Sequence, residues 1–197
     1  VALSLLCVLL CIAIGGPIGI WAGLRPGSDR YLRPAVDILQ SLPTTLYLAP
    51  AVLFFTIGQT PAAIATVAFA VGPLIRIAAL GIREVPAASV EAGVMFGSSP
   101  RQLLWKVRLP QAAPTLVTGV NQTIMAALSM AVIAALVGAG GLGAEVFQTL
   151  QLRSPGRGLL VGMAIVAIAI AFDRLFRSLV DRPRWPALSG RRFWVGA

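Results

Sequence analysis

The residue types that carry most enzymatic chemistry are scarce in this sequence. Its 197 residues include no histidine, two cysteines and seven Asp and Glu residues. Cys7 and Cys11 stand four apart in an apolar run without nearby carboxylates, which is too few donors for a zinc site. They read as two small apolar residues on one helix face. Triads that need an imidazole base are excluded. No G-x-x-x-x-G-K-[ST] run occurs, so the usual loop for cradling ATP phosphates is missing. What remains is a set of neutral polar side chains inside apolar runs. One set is Asn121, Gln122, Thr123 and Ser129 with Met125 and Met130; the other is Ser41, Thr44, Thr45 and Tyr47 around Pro43 and Pro50.

The elements that must hold these groups are membrane helices. Apolar types make up 57% of the chain, charged types only 12%, and the mean hydropathy is +0.86. A soluble domain is about one quarter charged. A spanning helix takes about 20 apolar residues at 1.5 Å each, and the uncharged runs divide into five spans, at about 1–24, 38–57, 62–82, 112–137 and 158–180. The turn-like run 58–61 separates the second from the third, and the glycine-rich run 138–143 ends the fourth. The chain opens at Val1 with neither Met nor a basic leader, so it reads as the interior of a longer protein.

Sixteen Lys and Arg against seven acids give a net charge of +9, which in a soluble chain would suggest nucleic acid. Their placement points elsewhere. Arg25, Arg30 and Arg33, then Arg83, Arg101, Lys106 and Arg108, then the six Arg residues after position 172, fall on one side of the five spans. Arg153 and Arg157 fall on the other, and Arg76 lies within a span. This asymmetry makes the first side cytoplasmic and places the start of the chain outside. No nucleic-acid partner is needed to explain the charge. The segment 181–197 reads as a cytoplasmic basic tail.

Gly15, Gly19 and Gly23 form a ridge that admits another helix backbone. Pro43 and Pro50 remove backbone donors within the second span, which fits either a polar-lined path near Thr44 and Tyr47 or a packed kink. Gln122, Met125 and Ser129 share one face of the fourth span, with Asn121 beside it; that face either lines a pathway or hydrogen-bonds a neighbouring helix. Arg76 is either functional or snorkels to the cytoplasmic surface. Glu145 opens an amphipathic piece, 145–152, that either caps an outer gate or lies at the interface.

The cytoplasmic segment 83–111 is long enough to carry structure of its own. Its sequence predicts a helix from Pro86 to Phe96 closed by Gly97 as C′ residue. Ser99 then caps a second helix, with Pro100 at N1 and Gln102 at N3, and Pro110 stops it. Met95, Phe96, Leu103, Leu104 and Trp105 would give this pair an apolar cytosolic surface, as docking sites have.

The run Glu91-Ala92-Gly93, Gly97 six residues after the Glu, then Val107, Leu109 and Pro110, resembles the EAA motif of ABC importer permeases, E-A-A-x3-G-x9-I-x-L-P. Gly93 replaces the third Ala and Val107 the Ile. The runs 40–44, 70–76, 99–102, 119–123, 127–130 and 140–143 are similar to permeases of the glycine betaine/proline osmoprotectant importers, and the likeness covers about residues 1–180. It implies an all-α type I importer transmembrane domain in the plasma (inner) membrane, with five core helices and a cytoplasmic coupling helix. Glu91, Ala92, Gly93, Gly97, Ser99, Pro100, Arg101, Leu109 and Pro110 would form the contact with an ATPase subunit. That subunit would hold ATP and magnesium, and this one no cofactor or metal. A second permease subunit, identical or paralogous, and an external substrate-binding protein complete the implied assembly. The implied cargo is a quaternary ammonium osmolyte: glycine betaine, proline betaine, choline or carnitine. Another small solute such as an amino acid, or an ATP-independent channel or secondary transporter, is the competing reading.

Overall fold

The computed structural model describes residues 2–180, and among these it is helical with no strand. The helices are α1 (Ala2–Leu24), α2 (Asp29–Ser41), α3 (Thr44–Phe55), α4 (Gln59–Arg83), α5 (Ala87–Met95), α6 (Pro100–Leu103), α7 (Leu109–Ala134), α8 (Gly141–Gln151) and α9 (Pro155–Val180). A π turn, Leu104–Arg108, joins α6 to α7, and a 3-10 turn, Ala135–Val137, extends α7. Among the described residues three helices are long and apolar enough to cross a membrane: Ala2–Leu24, Gln59–Arg83 and the continuous stretch Pro100–Ala134. The bent pair α2–α3 makes a fourth candidate, and α9 contributes a shorter apolar stretch, Pro155–Ala171. The tail 181–197 lies outside the described residues.

α4 is common to both buried clusters, one shared with α3 and α7 and the other with α1 and α7, and its closest approach is a seam with α1. Cys7, Cys11, Gly15, Gly19 and Gly23 repeat every four residues on one face of α1. The Cys7 thiol donates to the Ala63 carbonyl at 3.8 Å and the Cys11 thiol to Val67 at 3.7 Å, each 56 residues on. The same offset continues in the glycines: a Cβ on Gly19 would stand 2.8 Å from the Ile75 carbonyl oxygen, and one on Gly23 2.9 Å from that of Ala79. α1 and α4 are therefore parallel, and at Gly19 and Gly23 only hydrogen fits between their backbones. The cysteines are part of that packing. Against an adjoining face of α4, α7 runs antiparallel, with Gly81 against Thr115 and Gly119 against Ile77, and it meets α1 as well.

Parallel neighbours require the chain to return between them, and α2–α3 makes that return. The expected single helix over 38–57 is corrected here: the helix begins at Asp29 and breaks at Leu42–Pro43, where the axis turns by 90°. The residue before a proline is driven out of the α region, and Leu42 is extended (φ −73°, ψ 133°). Proline at 43 also lacks the N–H that the Leu39 carbonyl would receive in a continuous helix. The Tyr47 hydroxyl donates to that carbonyl instead. Pro50 is absorbed within α3 without a break.

A second correction concerns Pro110, which does not stop the helix. The N–H of Leu109 bonds the Leu104 carbonyl five residues back, widening the turn just ahead of the proline, and Pro110 then occupies the first turn of α7. The hairpin helix and the fourth span are thus one continuous rod.

Candidate functional site

The hairpin of α5 and α6 is built by three local devices. Gly97 is left-handed (φ +74°); its N–H bonds the Val94 carbonyl at 2.9 Å, and the Ser98 N–H bonds that of Gly93 at 3.1 Å, a Schellman closure. The Ser99 hydroxyl accepts from the Gln102 N–H at 3.4 Å, and the Gln102 side chain accepts from the Ser99 N–H at 2.8 Å, closing a capping box. Gly93 faces Leu103, whose Cδ1 would lie 3.1 Å from an added Cβ, so the two arms pack closely at this point.

Leu103 is buried beneath Gly93 and Leu104 is half-buried, which removes both from the apolar surface expected of them. Val94, Met95 and Phe96 remain at the tip, Met95 and Phe96 about nine-tenths exposed (88% and 90%), with Trp105 on the second arm. Glu91, Ala92, Ser99, Pro100 and Arg101 are exposed on the same hairpin. Leu109, half-buried, and Pro110, exposed, stand where it passes into α7.

On α7 the exposed described residues are Pro110 and a single stripe: Gln111, Pro114, Thr118, Gln122, Met125 and Ser129, at steps of three and four. Gln122, Met125 and Ser129 therefore do share a face, and the stripe continues about three turns further toward the hairpin. The Thr118 and Ser129 hydroxyls bond back to the Pro114 and Met125 carbonyls at 3.1 and 2.9 Å. Asn121 is half-buried, its Oδ1 enclosed without a hydrogen-bond partner. Thr118 and Gln111 were missed in the sequence reading, although extending the same spacing backward from Gln122 finds both.

The residues of the α2–α3 break do not act as one set. Pro43 and Pro50 are exposed and Thr44 half-buried. Tyr47 is buried, edge-on to Phe69 with ring centroids 5.8 Å apart, and is occupied with the Leu39 carbonyl. Its place is the core of the bend and not a polar surface. A cavity of about 450 Å³ lies between the start of α1, the start of α4 and the segment 139–143. None of the residues expected along a pathway lines it. Gly138, left-handed at φ +78°, ends the helix there, and the Gly58 N–H bonds the Val137 carbonyl at 2.9 Å, tying the 56–58 turn to the end of α7. α8 starts at Gly141, so Glu145 lies inside it and does not open it.

Arg76 reaches from α4 to α2, donating to Asp37 Oδ1 and Gln40 Oε1, both at 3.4 Å. Among the described residues no group of three His, Cys, Asp or Glu side chains could hold a metal ion.

Residues 15–185 match the family described as "Binding-protein-dependent transport system inner membrane component". The chain is 47% identical over 178 residues to the "Glycine betaine transport system permease protein OpuAB" of Bacillus subtilis (strain 168), covering 90% of this chain and 63% of that protein. It is 46% identical over 178 residues to the "Glycine betaine/proline betaine transport system permease protein ProW" of Escherichia coli (strain K12), covering 90% of this chain and 50% of that one. The chain thus spans between half and two thirds of these relatives' lengths. Its fold is similar to a chain of the inward-facing MetNI methionine ABC transporter, with a TM-score of 0.79, 26% identity and 92% of each chain covered. The match over residues 15–185 makes the chain a member of the binding-protein-dependent transport system inner membrane components.

Proposed function

We propose that this chain is the permease subunit of an ATP-driven type I importer for a quaternary ammonium osmolyte such as glycine betaine. The observation that carries the reading is the hairpin at Glu91–Pro110, whose apolar tip stands nine-tenths exposed on a rod continuous with α7. An apolar tip held in water is costly unless a partner covers it. An ATPase subunit fits that role, because this chain has no phosphate-cradling loop of its own. Movement of the hairpin is then carried along one helix to Thr118, Gln122 and Ser129. The π turn adds backbone slack at the junction.

Five crossings follow if α2–α3 counts as one and α9 as another, with the ends of α1 and α4 and the hairpin on the cytoplasmic side. In that arrangement the α7 stripe faces a second permease subunit, and the path runs between the two. Neutral amides, hydroxyls and methionine suit a compact cation that must leave as readily as it enters. The external binding protein delivers it.

Glycine betaine is favoured over an amino acid because the betaine permeases are 46–47% identical to this chain and the methionine transporter chain 26%. The test is uptake of radiolabelled betaine, choline and methionine in vesicles carrying the full transporter. ATP-dependent betaine uptake supports the reading. Uptake without ATPase, or of methionine alone, contradicts it.

A further inference from the structure

A cavity of about 350 Å³ opens between α2 and the C-terminal end of α4, and three guanidinium groups, Arg33, Arg76 and Arg83, line it with one carboxylate, Asp37. Arg76 and Arg83 lie seven residues apart, two turns on one face of α4, or about 10 Å along its axis. Arg83 is held in place by its bonds to the Ala22 carbonyl at 2.8 Å and the Ser28 hydroxyl at 3.1 Å. Arg76 meets Asp37 and Gln40 only at 3.4 Å, the outer limit of hydrogen bonding. Leu32 and the half-exposed Leu80 complete the wall.

We propose that this cavity binds the phosphate of an anionic phospholipid from the cytoplasmic leaflet. Its lining residues carry three cations to one anion. Guanidinium groups pair with phosphate oxygens in a planar, bidentate manner that a water-facing Asp at 3.4 Å does not match. The depth agrees: Arg83 ends α4 and Arg76 lies two turns inside it, which brackets the boundary between headgroups and acyl chains. Leu80 and Leu32 then offer an apolar side to the acyl chains, which a soluble phosphate would not use. A phosphate here would tie α2 to α4 just below the Leu42–Pro43 break. The proposal rests on the cytoplasmic placement of this end, and it is independent of which solute is carried.

The test is native mass spectrometry of the assembled, delipidated transporter titrated with phosphatidylglycerol, phosphatidylcholine or inorganic phosphate. Saturable binding of phosphatidylglycerol, with neither phosphatidylcholine binding there nor equimolar phosphate displacing it, is expected. Arg33→Gln should weaken that binding about fivefold, the effect of one cation near an anionic surface, and Arg33→Lys should restore most of it. Leu80→Glu, which leaves all three cations in place, should also weaken it, whereas Arg153→Gln should not. Equal binding by Arg33→Gln, Leu80→Glu and the unaltered protein overturns the proposal. So does equal retention of phosphatidylcholine, and displacement by equimolar phosphate would make this a soluble-anion site instead. Assembly is read in the same spectra, so a variant that fails to fold is identified directly, and uptake is not the readout.

Discussion

Gly19→Ala measures the α1–α4 seam. A Cβ at position 19 would lie 2.6 Å from the Ala78 Cβ, 2.8 Å from the Ile75 carbonyl oxygen and 3.2 Å from the Ile75 Cα. Carbon atoms prefer to stand about 3.5–4.0 Å apart, so the overlap is about 1 Å. Two of the three obstructing atoms are backbone and the third is fixed to it, so no side chain can swing away. The helices must separate, and the neighbouring contacts at Gly15 and Gly23 weaken with them. Overpacking of this kind costs about 1–3 kcal/mol. Gly16, on the same helix, has nothing within 4 Å of an added Cβ, and replacing it by Ala gains up to about 1 kcal/mol of helix propensity. The two substitutions add the same methyl three residues apart, yet they should differ by about 1–4 kcal/mol. Equilibrium unfolding of the detergent-solubilised protein in graded SDS reads that difference. Indistinguishable midpoints for the two variants would refute the close parallel seam.

The hairpin separates two glycines. Gly97→Ala forces a side chain into a left-handed residue at a cost of about 1–2 kcal/mol and should reduce ATP-driven uptake. Gly93→Ala meets only the movable end of Leu103 and should retain uptake; equal losses in both would contradict the Schellman geometry. Gln122→Leu, on the exposed α7 stripe, should lower uptake at least about tenfold while the complex still assembles, about 1.4 kcal/mol on the limiting step; full activity would return Gln122 to packing. Asp37→Asn removes an ion pair whose partners are 58% and 65% exposed. It should shift stability by less than about 1 kcal/mol, and a loss of several kcal/mol in thermal unfolding would mean that the pair is buried in the assembly.

Much of this was legible in the sequence because it follows from local rules. Gly97, Ser99 and Gln102 declare their caps, and the four-residue repeat of Gly15, Gly19 and Gly23 declares a seam, though not its partner helix. Cys7 and Cys11 extend that repeat, and their packing shows only once α4 lies alongside. Proline was the weak point, because its effect depends on what replaces the lost donor. At Pro43 the Tyr47 hydroxyl serves the orphaned Leu39 carbonyl and the helix breaks. At Pro110 a shift to five-residue bonding lets the helix continue. Both outcomes depend on neighbours that a local pattern does not weigh, which is why Tyr47 moved from an expected pathway into the core. The burial of Leu103 likewise needed the hairpin to close.

The claim that the hairpin is where an ATPase drives this protein is tested most directly by crosslinking. Phe96, 90% exposed, is replaced by Cys. The two native cysteines are buried, Cys7 1% and Cys11 0% exposed, and give little background with a water-soluble reagent. In a complex that imports betaine, a short bifunctional thiol–amine reagent should join Cys at position 96 to the ATPase subunit, and the yield should change when ATP is added. The same reagent on a cysteine replacing Leu150, which α8 holds on the opposite side, should give no such product. A transport-competent complex in which position 96 gives no ATPase adduct would contradict the account.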